Sequence, residues 1–473
     1  MHGLRWVGTA KIFTQIVTWG LTALTIRFLQ PGDYGLIATA GLFTSFANLL
    51  LDGGLGILLI SERNLSAQVH GAAVCATLTV SATLGLLIIA VAPLGSAFFR
   101  APGLNAILDV SAFYLPLAAL AVVPYSLLSK AMRFRQIAVA QTLGSIVQGA
   151  STLGLAYAGK GYWALIIGNF LGTTIRVCAL WAGLRTKPVP NFQFGLLRPL
   201  IRNSSHMIGQ RLVYFVTGDF DTFLLSRFGG AVIVGPYSLA KSLSHTALDQ
   251  LSGIVNQVSV PAFAAKVDPN VQRSGLLSLV SITSTLVFPL FWLMGVLSKV
   301  GLPLVFGARW ASIVVPFAAF CLILPLRSLY TLLDSSVVGM GKTSVTFRNI
   351  LTWATIMMPL IFLGARVNSN AVALAWILGF PCVFAATTHR IAKAFAVEMK
   401  VLLRPMVTPA ICSAVSCGAV ELARVNTTSL NAPISMFVVQ IAVGGMCYVA
   451  LIRYFGRDSY DKITGMILRL IRR

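Results

Sequence analysis

The sequence predicts an all-α integral membrane protein of about 14 transmembrane helices, and three observations predict it. Of its 473 residues, 57% are hydrophobic and 10% charged. A soluble domain carries about 25% charged residues, so lipid must be the solvent for most of this chain. Apolar windows long enough to cross a hydrocarbon core of about 30 Å recur from one end of the sequence to the other. Lys and Arg gather in alternate loops between those windows, which is how a polytopic protein fixes its orientation.

The windows fall near 7–29, 36–60, 70–92, 107–128, 137–158, 162–183, 204–226, 232–262, 276–298, 312–338, 348–365, 371–388, 404–423 and 433–453. The first is too long for a secretory leader and lacks an A-x-A site, so it reads as a first span. With the N-terminus inside, Lys and Arg favour the cytoplasmic segments by roughly three to one, and an even number of spans leaves both termini in the cytoplasm. No loop between spans is long enough for a folded extramembrane domain.

Two segments echo each other. Arg27-Phe28-Leu29 with Gly35 recurs as Arg227-Phe228-Gly229 with Gly235, and Phe134-Arg135-Gln136-Ile137 recurs as Phe347-Arg348-Asn349-Ile350. Each pair falls at the same loop of a six-helix half, on the same side of the membrane. That is the mark of parallel repeats, helices 1–6 against 7–12. The expected organisation is an N-terminal lobe over 1–183, a basic linker over 184–203 and a C-terminal lobe over 204–400. Residues 401–473 then supply helices 13–14 and a basic cytoplasmic tail.

Composition also excludes function classes. The net charge of +23 comes from 36 Lys+Arg against 13 Asp+Glu, but the cations lie in short segments between apolar runs. They form no basic patch on a polar surface, so nucleic acid is not an expected partner. The seven cysteines and five histidines show no metal-ligand spacing. Gly341-Lys342-Thr343 imitates the end of a phosphate loop without its upstream glycine and strand, and there is no G-x-S-x-G elbow. No cofactor, no metal and no enzyme activity are expected.

Charges inside the hydrocarbon cost roughly 2.5–3.5 kcal/mol each and need partners or a purpose. The cations at that depth are Arg176, Arg211, Lys241 and Arg327; the anions are Asp52, Asp219, Asp221, Asp249, Asp334 and Glu421. Arg211 and Asp219 share a helix face, as do Lys241 and Asp249, and each pair reads equally as a structural ion pair. Arg176 and Arg327 have no acidic residue within a turn, so a cavity or an anionic ligand explains them better, although Asp334 can share the face of Arg327. Arginine suits phosphate through paired charge-assisted bonds. The candidate substrate contacts are therefore Arg27, Arg176, Arg211, Lys241 and Arg327, and the candidate ion-coupling carboxylates are Asp52, Asp221, Asp249 and Asp334. His206 and His245 lie in spans and are candidates either for proton relay or, the favoured reading, for structurally satisfied side chains. Pro116, Pro236, Pro289, Pro316, Pro325 and Pro359 each remove a helical hydrogen bond and permit a bend.

The motifs carry a resemblance. Arg27-Phe28-Leu29-Gln30-Pro31-Gly32-Asp33-Tyr34-Gly35 resembles the R-x-L-x-P-x-D-Y-G signature of the polysaccharide transport family, the Wzx-type flippases of the multidrug/oligosaccharidyl-lipid/polysaccharide exporter superfamily. Asp52-Gly53-Gly54-Leu55-Gly56, Met132-Arg133-Phe134-Arg135, Gly161-Tyr162-Trp163-Ala164-Leu165, Asp221 to Gly229 and Gly235-Pro236-Tyr237 follow in the family's order, so the resemblance covers nearly the whole chain. It is strongest to the exopolysaccharide branch. One departure stands at Gly229-Gly230-Ala231, where the family has an additional Leu. The resemblance implies a MATE-like two-lobe architecture, with two six-helix repeats plus two C-terminal helices. It also implies transfer of undecaprenyl-pyrophosphate-linked oligosaccharide from the cytoplasmic to the periplasmic leaflet of a bacterial inner membrane, driven by an ion gradient. The expected partners are the lipid-linked oligosaccharide and membrane lipids, with a polysaccharide polymerase and glycosyltransferases as protein partners. A drug/cation antiporter of the same fold and a membrane polymerase or ligase are the competing readings.

Overall fold

The predicted windows are α-helical over most of their described residues, with a break in the fourth and a 3₁₀ start to the tenth. The computed structural model describes residues 2–51, 59, 66–184, 188–193, 195, 213, 215–264, 268–426, 433–457 and 460–461. In chain order the helices are α1 (His2–Phe28), α2 (Pro31–Leu51), α3 (Ala67–Phe99), α4 (Gly103–Ala119), α5 (Val122–Lys130), α6 (Phe134–Tyr157) and α7 (Tyr162–Ala182). A helical stretch over 215–228 (α8) precedes α9 (Gly230–Ala264), α10 (Pro269–Phe306), a short 3₁₀ turn, α11 (Val314–Gly339), α12 (Thr343–Ala365), α13 (Ser369–Ala394), α14 (Met399–Asn426) and α15 (Pro433–Phe455). Among the described residues, ten spans are long and apolar enough to cross a membrane, so the protein is multi-pass. The windows outside those ten are α1, α6, α8 and α9. Three of these, α1, α6 and α9, carry Gln15, Gln141, Gln148, Lys241 and His245.

The fourth window is broken into α4 and α5 by chemistry the sequence contains. Pro124 has no N–H for the carbonyl of Leu120, one turn back. The indole of Trp181 donates to that carbonyl instead, at 2.9 Å. Pro289 leaves the carbonyl of Thr285 free in the same way, and the Tyr448 hydroxyl donates to it at 2.7 Å. In lipid a freed backbone group must find a donor within the protein. These two proline sites are thus pinned by aromatic side chains from neighbouring helices, and Pro289 is not a loose bend.

The chain forms two compact units, Met1–Gly235 and Pro236–Arg473. In the first, α3 packs on α4, α6 on α7, and α4 on α7; in the second, α10 packs on α11, α12 on α13, and α11 on α13. This is the same pairing six spans later, and α14 and α15 add a further pair against α10. The caps repeat as well. Arg133 and Met132 donate backbone N–H groups to Leu128 and Ser129, while Lys342 and Gly341 donate to Val337 and Val338. The last turns of both helices are closed by a left-handed residue at the equivalent position, Met132 at φ 55° and Gly341 at φ 75°. The following helices begin at Phe134 and Thr343, so the Phe347-Arg348 echo lies about one turn deeper than its counterpart.

The first echo is a packing feature. A Cβ on Gly35 would lie 1.8 Å from the carbonyl oxygen of Ala231, and one on Gly235 would lie 1.8 Å from that of Pro31. The contact is reciprocal, and only glycine allows two helix starts to cross this closely. Asp33, in the same motif, accepts from the backbone N–H of Gln30 at 2.9 Å and from that of Tyr162 at 3.1 Å. It thereby caps its own helix and the start of α7.

Loop cations are used structurally. Arg133 donates to the carbonyl of Gly183, Arg273 to Phe395, Lys342 to Ala394 and Arg390 to Arg348. All are residues the positive-inside reading puts on one side, and most of the acceptors end helices, where cations satisfy orphan carbonyls and the negative end of the dipole. Glu421, expected at depth, is instead part-exposed and paired with both Lys299 and Arg424.

Candidate functional site

The polar residues of α1 and α6 point to one place. Gln141, Ser145 and Gln148 are spaced at one helical face, and with Thr14, Gln15 and Thr173 they line a cavity of about 300 Å³ between α1, α6 and α7. A second cavity of about 130 Å³ shares Ser145 and Gln148 and continues past Thr18, Thr22 and Thr152. Together they form a polar stripe within the first unit. The Thr14 and Thr142 hydroxyls bond to each other at 2.9 Å across it, and Thr22, Thr25 and Thr152 turn their hydroxyls back onto their own helices.

Arg176 lies in the wall of the larger cavity. Its Nη2 reaches the Thr173 hydroxyl at 3.5 Å, and its Nε is buried with no hydrogen-bond partner among the described residues. Nor does it pair with a carboxylate among them. Buried guanidinium donors are normally satisfied, so this one is poised for a ligand acceptor. The Thr18 hydroxyl, in the second cavity, is likewise buried without a partner among the described residues.

Close helix packing creates the space. A Cβ on Gly172 would lie 2.5 Å from Cβ of Gln148, and one on Gly144 would lie 2.9 Å from Cβ of Arg176. Gly168-x-x-x-Gly172 is the small-residue pattern that lets membrane helices approach, and here it presses the backbone of α7 onto α6. The Gln and Arg side chains are thereby pushed to one side, into the cavity.

Arg327 has a different setting, inside the second unit. It hydrogen-bonds Nε2 of His245, and its guanidinium lies 5.3 Å from the Trp376 ring centroid. Nδ1 of His245 is 2.8 Å from the carbonyl of Lys241, so Nδ1 carries the proton and Nε2 accepts from the arginine. Trp376 donates its indole N–H to the Tyr237 hydroxyl at 3.2 Å, and Phe320 packs edge-on to both Tyr237 and His245. Asp334 is buried and accepts from the Asn349 amide at 3.4 Å, while Arg390 donates to Asn349 Oδ1 and, at 2.6 Å, to the Thr352 hydroxyl.

The other sequence candidates scatter. Arg27 is exposed on the last turn of α1. Asp221 is 1% exposed, with its carboxylate on the backbone N–H of Thr222 at 2.7 Å. Lys241 is half-buried on α9. Asp52 and Arg211, and the side chain of Asp249, lie outside the described residues, so the Arg211–Asp219 and Lys241–Asp249 pairings do too. Among the described residues no three His, Cys, Asp or Glu side chains gather as for a metal ion. Gln15, Gln141, Gln148 and Thr173, which carry no charge, were not among the sequence candidates. The available signal was the low apolar content of the first and fifth windows, with amides at i and i+7 on one face.

Comparison with known proteins agrees with this architecture. Residues 24–315 match the family described as "Polysaccharide biosynthesis protein". The chain is 24% identical to "Succinoglycan biosynthesis transport protein ExoT" of Rhizobium meliloti (strain 1021), over 80% of this chain and 77% of that one. Its fold is similar to that of "Lipid II flippase MurJ, inward closed conformation", with a TM-score of 0.77 and 16% identity over 96% of this chain and 99% of that one. It is also similar to an inward-facing "multidrug resistance MATE family transporter of the MOP superfamily", with a TM-score of 0.60 and 13% identity over 81% and 95%. The MATE-like architecture of two six-helix repeats plus two C-terminal helices is therefore the fold of this chain.

Proposed function

The chain belongs to the polysaccharide biosynthesis protein family, and from that membership we propose that it is a flippase for lipid-linked oligosaccharides. It carries undecaprenyl-pyrophosphate-linked repeat units from the cytoplasmic to the periplasmic leaflet of a bacterial inner membrane, with both termini in the cytoplasm. The observation that carries the reading is Arg176, which pairs with no carboxylate among the described residues and whose Nε has no partner among them, in a cavity whose polar lining is the amides and hydroxyls of Gln15, Gln141, Gln148, Thr14, Ser145 and Thr173. Amides both donate and accept, as sugar hydroxyls do, and a guanidinium binds a phosphate oxygen pair through charge-assisted bonds. A drug/cation antiporter would need a carboxylate there, where this cavity offers a cation. The transport of a succinoglycan-related product named for the relative, and the lipid II flipping named for the structural neighbour, support the same substrate class.

No covalent step is needed. The cavity holds the pyrophosphate and the first sugars while the isoprenoid tail stays in the bilayer, and alternating access moves the head group across. Arg27, Arg211 and Lys241 are proposed as further cationic contacts along the cycle, whereas Arg327, bonded to His245 and stacked on Trp376, is proposed to hold the second unit together. Asp52, Asp221, Asp249 and Asp334 are proposed to couple it to an ion gradient. Asp334 is foremost among these, because its described partner is a neutral amide inside a span, and a charge crossing 100 mV gains about 2.3 kcal/mol. The cytoplasmic loops are proposed docking points for glycosyltransferases and the polymerase.

The test is depletion of the protein in its host, with spheroplasts treated by an impermeant sugar-modifying reagent. Lipid-linked repeat units should accumulate and stay unreactive until lysis. Units that become reactive outside yet remain unpolymerised would replace this reading with that of a polymerase or ligase.

A further inference from the structure

On the first unit a groove of about 310 Å³ is walled on three sides by α2, α3 and α8, and its lining is apolar throughout. Phe43 and Phe46 of α2, Leu87 and Phe99 of α3, and Phe215 and Phe223 of α8 form it. Leu87 is 55% exposed and Phe223 39%, so the groove is open at the surface of this unit, beside the membrane-length helices α2 and α3. A cation stands at its end. Phe98 stacks between Arg227 and the lining: the guanidinium carbon lies 4.9 Å from its ring centroid, while Phe99 and Phe223 lie 4.9 Å and 6.0 Å from it. Among the described residues Arg227 pairs with no carboxylate and makes no hydrogen bond. The arginine terminates α8 at the level where α3 ends at Phe99 and α2 begins at Pro31, one end of the spans, and the groove runs from there toward the middle of α2.

We infer that this groove binds a single-chain polyprenyl phosphate, with the chain against the phenylalanines and the phosphate on Arg227. An unpaired cation at the mouth of an apolar channel matches an anionic head on a hydrocarbon tail. The groove is one channel, closed by helices on three sides, which fits one isoprenoid chain and not the paired acyl chains of a phospholipid. This deepens the flippase reading and rests on it for the choice of polyprenyl over acyl lipid. Arg227 and the Phe98–Phe99 rings lie at the helix ends that the basic loops assign to the periplasmic side, so the groove receives the tail on the delivery leaflet.

The test is native mass spectrometry of the full chain in detergent with undecaprenyl phosphate, neutral undecaprenol or phosphatidylglycerol at equal concentrations. Undecaprenyl phosphate should be retained at least about tenfold better than either competitor. Arg227→Gln should reduce that retention about tenfold, Arg227→Lys should largely keep it, and Leu87→Trp, which obstructs the exposed wall, should abolish it. An unchanged unfolding temperature in each variant assigns the loss to the groove. Equal retention of phosphatidylglycerol, or full retention by both Arg227→Gln and Leu87→Trp, overturns the inference. No sugar and no translocation enter this readout, so a failed spheroplast assay would sink the transport reading while leaving this result to be judged on its own.

Discussion

Arg176 and Arg327 are two arginines within apolar spans, each without an acidic neighbour on its own turn, yet their surroundings differ. Arg176 faces a polar cavity and has a buried Nε with no partner among the described residues. Arg327 is bonded to His245 and stacked on Trp376 within a cluster that also includes Tyr237 and Phe320. The first unit keeps space open beside its cation by pressing α6 and α7 together through glycines. The second unit instead surrounds its cation with the rings of α9, α11 and α13. The difference teaches that charge at membrane depth does not by itself mark a ligand site. What marks it is a donor left without an acceptor in a cavity that can admit one.

The contrast can be broken in either half. The largest effect should come from Trp376→Ala, which removes a 1% exposed ring that carries both the Tyr237 bond and the Arg327 stack. Unfolding in detergent should show a loss of about 3–5 kcal/mol. Gly172→Leu acts on the other half: with Gln148 already at a virtual 2.5 Å, the larger side chain must separate α6 from α7. A destabilisation of about 1–3 kcal/mol is expected, together with loss of transport in the spheroplast assay. Gln148→Ala removes one neutral hydrogen-bonding group from the shared wall of both polar cavities and should slow transport by roughly three- to tenfold without a matching loss of stability. Tyr448→Phe is the smallest change. It leaves the Thr285 carbonyl beneath Pro289 without its donor and should cost about 0.6–1 kcal/mol in unfolding, with transport unaffected by any route other than stability.

Much of the fold was legible because lipid imposes a single rule, that backbone groups be satisfied within each segment, and this leaves apolar windows of span length as the signal. The repeat was legible where its geometry demands particular residues: Gly35 and Gly235 recur because two helix starts touch there. The break in the fourth window was legible in principle from Pro124, but its partner Trp181 is 61 residues away from the carbonyl it caps. The candidate site was legible in part. Arg176 stood out by cost, whereas the amides beside it carry no charge and looked like ordinary polar residues in a span. The satisfaction of Arg327 was not legible at all, since His245 is 82 residues distant and Trp376 lies on another helix. The family motif pointed elsewhere for a physical reason. Its Asp33 and Gly35 build helix junctions, so they report the fold and leave the substrate unspecified.

The central claim, that Arg176 meets the pyrophosphate while Arg327 holds the fold, is tested most directly by measuring two quantities on purified Arg176→Ala and Arg327→Ala. These are the affinity for a lipid-linked oligosaccharide and the unfolding temperature. The account predicts that Arg176→Ala weakens binding by roughly 30- to 150-fold, the worth of about 2–3 kcal/mol for a charged hydrogen bond, with the unfolding temperature nearly unchanged. It predicts the reverse balance for Arg327→Ala. An Arg176→Ala protein that binds as tightly as the parent would contradict it.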